Sequence, residues 1–371
     1  MSVRSFVASD EVASEAVTET TIETAIEASV DSLSHPRDPG LSQEFHCWPL
    51  PGYVWPALER RYHSIFCSEP HLRICGGLSP AIEAWVWRKE GRIAGLLLFE
   101  QRGTVAYVLN EVFIPTGEEL AEFASAVFER HPLLTAVQVR GAAIDGKVPL
   151  YQSIRAPMSD DFVLTLPASV DAWMTSLSSQ TREKLRYHLR RTLRKQPGFR
   201  FRTIGGAQIA DAQLLRVIDF NRARMRKKGR RFAMGDDEEQ GLRRVMRERG
   251  QLSLIEIDGE IRAGLLCTLA GRDIYMHVIA HDPDFDDLRL GFLCCVLTIQ
   301  DAIAQGLARF HFLWGQYDYK TRLGGVRTDL YQLLLLRSPL AMLMHPRRIS
   351  GLVAARLKAA LRERVHGWRR A

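Results

Sequence analysis

The chain of 371 residues has six cysteines, Cys47, Cys67, Cys75, Cys267, Cys294 and Cys295, with no C-x-x-C pair and no regular spacing. That scarcity argues against a disulfide framework and against a zinc site built on the usual ligand spacing. Several of the six lie inside apolar runs and read as buried free thiols in a reducing compartment. Cys294 and Cys295 are neighbours on a predicted helix and point about 100° apart, so they cannot share a metal, and none is expected.

Long hydrophobic runs are also missing. Leu333–Leu336 and Ser338–Met344 are split by Arg337 and fall short of the ~20 residues a spanning helix needs. The first residues lack the basic-then-apolar pattern of a secretory signal, so a cytoplasmic protein is expected. There is no G-x-S-x-G elbow and no Ser-His-Asp pattern, which turns attention away from a covalent acyl-enzyme. The seven tryptophans do not interleave with basic residues as in nucleic-acid readers, and nucleic acid is not an expected partner.

What is present begins with charge. The net charge of +7 and isoelectric point near 9.2 favour an anionic partner. Residues 1–40 run the other way, with eight acidic and two basic residues, and Glu11, Glu15, Glu19, Glu23 and Glu27 recur every fourth position. On a helix these would stack like charges on one face, so residues 1–45 are expected to form a disordered acidic tail. At the other end, residues 346–371 carry an apolar stripe of Val353, Leu357, Leu361, Val365 and Trp368 among eight Lys and Arg. This basic amphipathic helix is a candidate for peripheral contact with the inner face of a membrane, docking on the body being the alternative.

Between these ends one plan occurs twice. Ile82–Arg88, the turn Glu90-Gly91, Ile93–Glu100, Thr104–Phe113, a helix Gly117–Arg130 and Leu134–Arg140 are followed later by Gln251–Ile257, the turn Asp258-Gly259, Ile261–Leu269, Ile274–Ala280, a helix Gly291–Gln305 and Ala308–Trp314. A mixed α/β protein of two tandem halves, 46–165 and 166–345, is the expected fold. In the connecting region Gln180–Gln196 reads as a helix, with Ser178 or Ser179 as N-cap, leucines at 185, 189 and 193, and arginines at 182, 186, 190 and 194.

Two motifs carry a family resemblance: Leu177-Ser-Ser-Gln-Thr-Arg-Glu-Lys-Leu-Arg186, and Phe310-His-Phe-Leu-Trp-Gly-Gln-Tyr-Asp-Tyr-Lys-Thr-Arg-Leu-Gly324, with its Gly-x-x-x-Tyr-Lys core. In this order, over roughly Trp48 to Leu335, the chain resembles the GNAT superfamily of acyl-CoA-dependent acyltransferases. More narrowly it is similar to the branch named after a cellulose-biosynthesis protein, related to the Fem peptidyl transferases. The resemblance implies acetyl-CoA or another acyl-CoA as co-substrate. It also implies N-acyl transfer, by direct attack in a ternary complex, to a small-molecule or saccharide acceptor such as an envelope precursor.

It implies, too, that the pyrophosphate rests on backbone amides where a loop enters a helix, the general anion site of a helix N-terminus. Arg289, Gly291, Phe292 and Leu293 fit that place in the second half. The first half opens its helix with Glu118 and Glu119, which would repel a phosphate, and is expected to be degenerate. Against the second half stand Asp282, Asp284, Asp286 and Asp287 in the preceding loop. The catalytic candidates are Lys320, which matches the motif lysine, Tyr319 or Tyr317 as acid, His277 or His281 as base, and Asp318. Arg182, Arg186 and Gly315 are the candidates for holding the acceptor. Two other readings stay open: a Fem-like enzyme taking an aminoacyl group from tRNA, and a non-catalytic scaffold of a polysaccharide machinery.

Overall fold

A computed structural model of the protein describes residues 40–144, 146–227, 229 and 234–368, with side chains described to residue 361. Most of the acidic tail, residues 1–39, lies outside the described residues. Its last part is not tail at all. Leu41–Cys47 is an edge strand, β1, paired antiparallel with Ile82–Lys89, β2.

A helix α1, Val54–Tyr62, lies between them. Then follow β3 (Arg92–Arg102), β4 (Val105–Val108), α2 (Gly117–Arg130), β5 (Ala136–Ala142) and the long strand β6 (Gln152–Thr165). The connecting region holds α3 (Val170–Ser176), α4 (Ser179–Lys195), β7 (Phe199–Gly205), α5 (Asp211–Lys227) and α6 (Asp236–Arg249). The second half comprises β8 (Gly250–Ile257), β9 (Glu260–Ala270), β10 (Asp273–His281), α7 (Leu290–Ala304), β11 (Arg309–His311) and β12 (Val326–Leu336). The chain closes with α8, Pro346–Trp368.

The repeated plan extends to turn chemistry. Glu90-Gly91 and Asp258-Gly259 both take positive φ, the pair of left-handed residues that a two-residue hairpin turn requires. Both hairpins also shift register beside the turn, between Trp87 and Arg88 and between Ile255 and Glu256. A bulge there strengthens the local twist.

All twelve strands form one sheet in the order β1-β2-β3-β4-β5-β12-β6-β11-β10-β9-β8-β7. The centre of that order is an exchange. β6, which continues the first half, pairs with β11 of the second, and β12, which continues the second, pairs with β5 of the first. β6 and β12 then pair with each other along their length. Each half therefore completes the other's sheet, and Leu333 and Leu335 of β12 sit in the first half's core.

Alternation along the strands assigns the layers. In the second half Ala263, Leu265 and Cys267 pack with α7 on one face, while Leu252, Leu254 and Leu266 meet α5 and α6 on the other. The C-terminal helix docks through Ile349, Leu352 and Ala355. That face is not the stripe expected from the sequence: Val353, Leu357 and Leu361 face outward, 45–62% exposed, while the Val365 and Trp368 side chains lie outside the described residues.

Where the halves meet, His311 ties three strands together. Its Nδ1 lies 2.6 Å from Asp161 of β6 and its Nε2 3.5 Å from Asp273 of β10, with the Tyr275 ring stacked 4.2 Å away. Burial would push its pKa down, but Asp161 and Asp273 overcome this and raise it. A raised folded-state value means that the proton stabilises the fold most below the unfolded pKa of about 6.5, and that this stabilisation disappears as pH rises through the folded value. The melting-temperature gap between the wild type and His311→Gln should therefore be widest below pH ~6.5 and narrow as the pH rises above it. A gap independent of pH would show that His311 is neutral in the fold.

Candidate active site

The site forms where two parallel strands part. β10 and β11 pair only over Asp273–Arg309, Ile274–Phe310 and Tyr275–His311. β10 then runs on to His281, and β11 leaves into Phe312, whose amide donates to Phe162 of β6. Met276 and Val278 flank a register shift on the other side of β10, with His277 at the bulge.

A cavity of about 350 Å³ opens beside the end of β10. Ile279 and His281 of β10, the Arg289–Phe292 entry into α7, and Tyr317, Tyr319 and Arg322 form part of its wall. Gln180, Thr181, Lys184 and His188 of α4, with Arg224 and Met225 near the end of α5, complete it. Among the described residues the lining includes Lys184, Arg224, Arg289 and Arg322 but no carboxylate. The excess of positive charge is felt inside: burial lowers the His188 pKa, and Arg289, Arg191 and Lys184 lower it further.

The α7 N-terminus suits an anion in detail. Arg289 holds a left-handed conformation as the residue before the helix, and the first turn contains no acidic side chain. The Leu293 amide already donates to the Arg289 carbonyl, which corrects the expectation that it is free, and the Leu293 side chain is buried in the core. The amides left without an intrahelical acceptor are those of Leu290, Gly291 and Phe292. Gly291 packs so closely that a Cβ would lie 3.0 Å from His281 Nδ1.

Three of the four loop aspartates are held by basic partners. Asp282 pairs with Arg262, Asp286 with Lys227 and His281, and Asp287 with Arg191 and Lys195. The equivalent place in the first half is filled. Thr116 caps α2 by accepting from the Glu119 amide, and Glu119 turns inward to Arg61 and the Tyr62 hydroxyl. Asn110 bridges β3 by accepting from the Leu98 amide and donating to the Leu96 carbonyl, and Phe113 returns to bridge β5 at Ala142.

Among the residues expected from the sequence, Tyr317, Tyr319, His281, Arg289, Gly291 and Phe292 meet in the cavity; the others have different surroundings. Lys320 is 1% exposed, and its Nζ donates to the carbonyls of Leu313 and Trp314, both at 2.7 Å. Burial pushes its pKa down to about 8 against the pull of Asp161 and Asp160. Gly315, at φ 92°, makes the turn that those carbonyls belong to, and its amide donates to Asp160. Neither residue lines the cavity. Asp318 is exposed and faces Arg322 at 3.7 Å. Arg182 donates to the carbonyls of Thr175 and Leu177 and so finishes α3, while Arg186 is exposed. His277 keeps its Nε2 2.7 Å from the Thr268 hydroxyl and leaves Nδ1 without a partner, and burial holds its pKa well below the usual histidine range.

The sequence reading missed Lys184, His188, Arg224 and Arg322 as cavity residues. Gln180, Lys184 and His188 recur every fourth residue and form a row beside the leucines of α4, a signal the dominant arginine row obscured.

Comparison with known proteins places the fold. Residues 179–321 match the family model described as an acetyltransferase (GNAT) domain. The crystal structure of FemX is similar with a TM-score of 0.58 at 12% identity, covering 81% of this chain and 99% of that one. L-PGS from Bacillus licheniformis gives a TM-score of 0.47 at 12% identity, covering 83% and 96% of the respective chains. A tandem GNAT protein from the clavulanic acid biosynthesis pathway gives 0.40 at 10%, covering 80% and 98%. A search of curated protein sequences finds no match. The fold is thus a mixed α/β sheet of the GNAT type, in two halves of like element order, and the matched domain spans the cavity-lining elements from α4 to Tyr319.

Lys320→Ala would leave the Leu313 and Trp314 carbonyls without their donor beneath the site. It should cost about 1–3 kcal/mol of stability in denaturant unfolding, the scale of an unsatisfied buried polar group. An unchanged unfolding midpoint would free Lys320 from this structural role.

Proposed function

We propose that the protein is an acyl-CoA-dependent N-acyltransferase, acting on an amine of a sugar, an envelope precursor or a small metabolite. One observation carries the reading: the α7 entrance at Gly291 and Phe292 and the Arg289 side chain come together at the wall of a cavity beside the end of β10, whose described lining holds four cations and no carboxylate. Helix amides and cations together suit a pyrophosphate. The open strand end gives an acyl group a place to lie in extended form. The pairing of Asp282, Asp286 and Asp287 lessens the charge in the preceding loop that would oppose an anion here.

The chemistry needs a neutral amine, a stabilised oxyanion and a proton for the leaving thiolate. The amine nitrogen bonds to the thioester carbonyl carbon, the C–S bond breaks, and the nitrogen gives up a proton. His281, which lines the cavity with its Nε2 2.9 Å from Asp286, is placed to accept it, whereas His277 lies outside the cavity wall. Tyr319 keeps its proton, because burial and the neighbouring Cys295 raise its pKa, so its hydroxyl can donate a hydrogen bond that stabilises the leaving thiolate until solvent protonates it. Lys320 acts in this scheme by holding the Leu313–Gly315 turn.

A second reading puts aminoacyl-tRNA in place of acyl-CoA. It is favoured by Arg186, Arg190 and Arg194, which form an exposed row along α4.

A thermal-shift comparison of acetyl-CoA, longer acyl-CoAs and total tRNA separates these readings. Acyl-CoA at 100 times its Kd should stabilise the protein by ~2.7 kcal/mol. Gly291→Asp should abolish that shift in protein that far-UV circular dichroism shows to be folded, its own melting temperature lowered by the crowding against His281. Glu118→Gln in the first half should leave the shift intact. Gly117 is unsuited to the control, since a Cβ there would meet the Lys147 carbonyl at 2.5 Å. Stabilisation by tRNA alone would select the second reading, and a response to none of the ligands would return the scaffold.

A further inference from the structure

The C-terminal helix α8 uses only one side to dock. Ile349, Leu352 and Ala355 pack against the central strands, where Leu334, Leu336 and Ala156 form a small core. At 100° per residue, Val353, Leu357 and Leu361 recur every fourth residue and form a second row, rotated well away from Leu352. All three are exposed, at 45%, 60% and 62%. Just before the helix, Leu340, Met342, Leu343 and Met344 are exposed as well, at 66%, 40%, 78% and 47%. Scattered apolar residues on a surface need no explanation, but a row of three on one helix, with four more immediately upstream, does.

Charge identifies what could cover it. From Pro346 to Leu361 the helix carries Arg347, Arg348, Arg356 and Lys358 and no acidic residue. Around the helix axis Arg356 falls on one side of the exposed row, and Lys358 and Arg347 fall on the other. Arg348 is turned toward the body, where it donates to Gln138. The exposed Arg356 and Lys358 can extend their aliphatic stems along an apolar surface and keep the charge at its boundary. A second copy of this chain would bring like charges together across the row, with no carboxylate on this stretch of helix to offset them. A surface of lipid with anionic headgroups meets both features at once, accepting the leucines among its acyl chains and the cations among its phosphates.

We propose that this face of α8 lies on an anionic bilayer surface, with Val353, Leu357 and Leu361 embedded and Arg356 and Lys358 at headgroup level. The helix does not cross the bilayer; among the described residues no helix is long and apolar enough to do so. None of these side chains lines the cavity, so the attachment is independent of the acyl-transfer reading.

Co-sedimentation of the full chain with vesicles tests this. Vesicles of phosphatidylcholine mixed with phosphatidylglycerol should bind the protein, and phosphatidylcholine vesicles should bind it at least ~10-fold less. Raising the salt to ~1 M, where screening reaches only about 3 Å, should release most of it. Leu357→Glu with Leu361→Glu should abolish binding, while Arg356→Gln with Lys358→Gln should weaken it and lessen its salt dependence. Far-UV circular dichroism and melting temperature verify that each variant is folded. Equal binding to both lipids, or full binding by the folded double-Glu variant, would overturn the proposal. So would a concentration-dependent dimer in sedimentation velocity that the double-Glu variant abolishes, since a second copy would then be the occupant.

Discussion

Two parallel strands that separate after three paired residues set the terms for the rest of this molecule. Where β10 and β11 part, backbone groups lose their ladder partners, and something must fill or use the gap. In the first half the gap is filled by the protein itself. Asn110 reaches back to β3, Phe113 bridges to β5, and Glu119 occupies the helix entrance. In the second half it stays open, and the loop, the α7 N-terminus and α4 surround a cavity. One architecture built twice thus gives one plug and one site.

Keeping a gap open takes rigid surroundings, and these are polar and buried. His311 fastens β6 and β10 to β11 through Asp161 and Asp273. Asp160 holds the Gly315 amide and the Gln316 side chain, and Lys320 gathers the carbonyls of Leu313 and Trp314. The bonds from Asp160 and Lys320 let the Leu313–Gly315 turn hold positive φ at both Leu313 and Gly315. The cations of the cavity wall stand apart from this network. Arg191 and Lys195 bind α4 to the loop before α7, leaving Lys184 and His188 to face inward. The exchange of β6 and β12 between the halves carries these elements on one continuous sheet.

The first helix of the matched domain illustrates what a sequence can and cannot say about a surface. The leucines at 185, 189 and 193 mark the row of α4 next to which any cavity would lie, yet a row has two flanks. Arginines at 182, 186, 190 and 194 form one flank, and Gln180, Lys184 and His188 the other. Charge alone favours the arginines. The cavity takes the other flank, because α5 and the α7 entrance lie on that side, and Arg182 is committed to the end of α3. The same ambiguity governs α8, whose docked row and exposed row are both apolar.

Local chemistry was enough to determine the hairpin turns at Glu90-Gly91 and Asp258-Gly259, the repeated element order, the α4 cap to within the pair Ser178 and Ser179, and the acidic first turn of α2 at Glu118 and Glu119. Each depends on residues a few positions apart, whose backbone preferences and side-chain reach are set by sequence spacing. The order of the sheet, the exchange of β6 and β12, the pairing of the loop aspartates and the burial of Lys320 were decided only in three dimensions. Lys320 stands between Tyr319, which meets the cavity, and Thr321, and nothing in the motif says that its ammonium turns back to Leu313 and Trp314. That choice depends on which carbonyls the chain leaves unpaired as it departs from β11, and such demand for hydrogen bonds is a property of the assembled sheet.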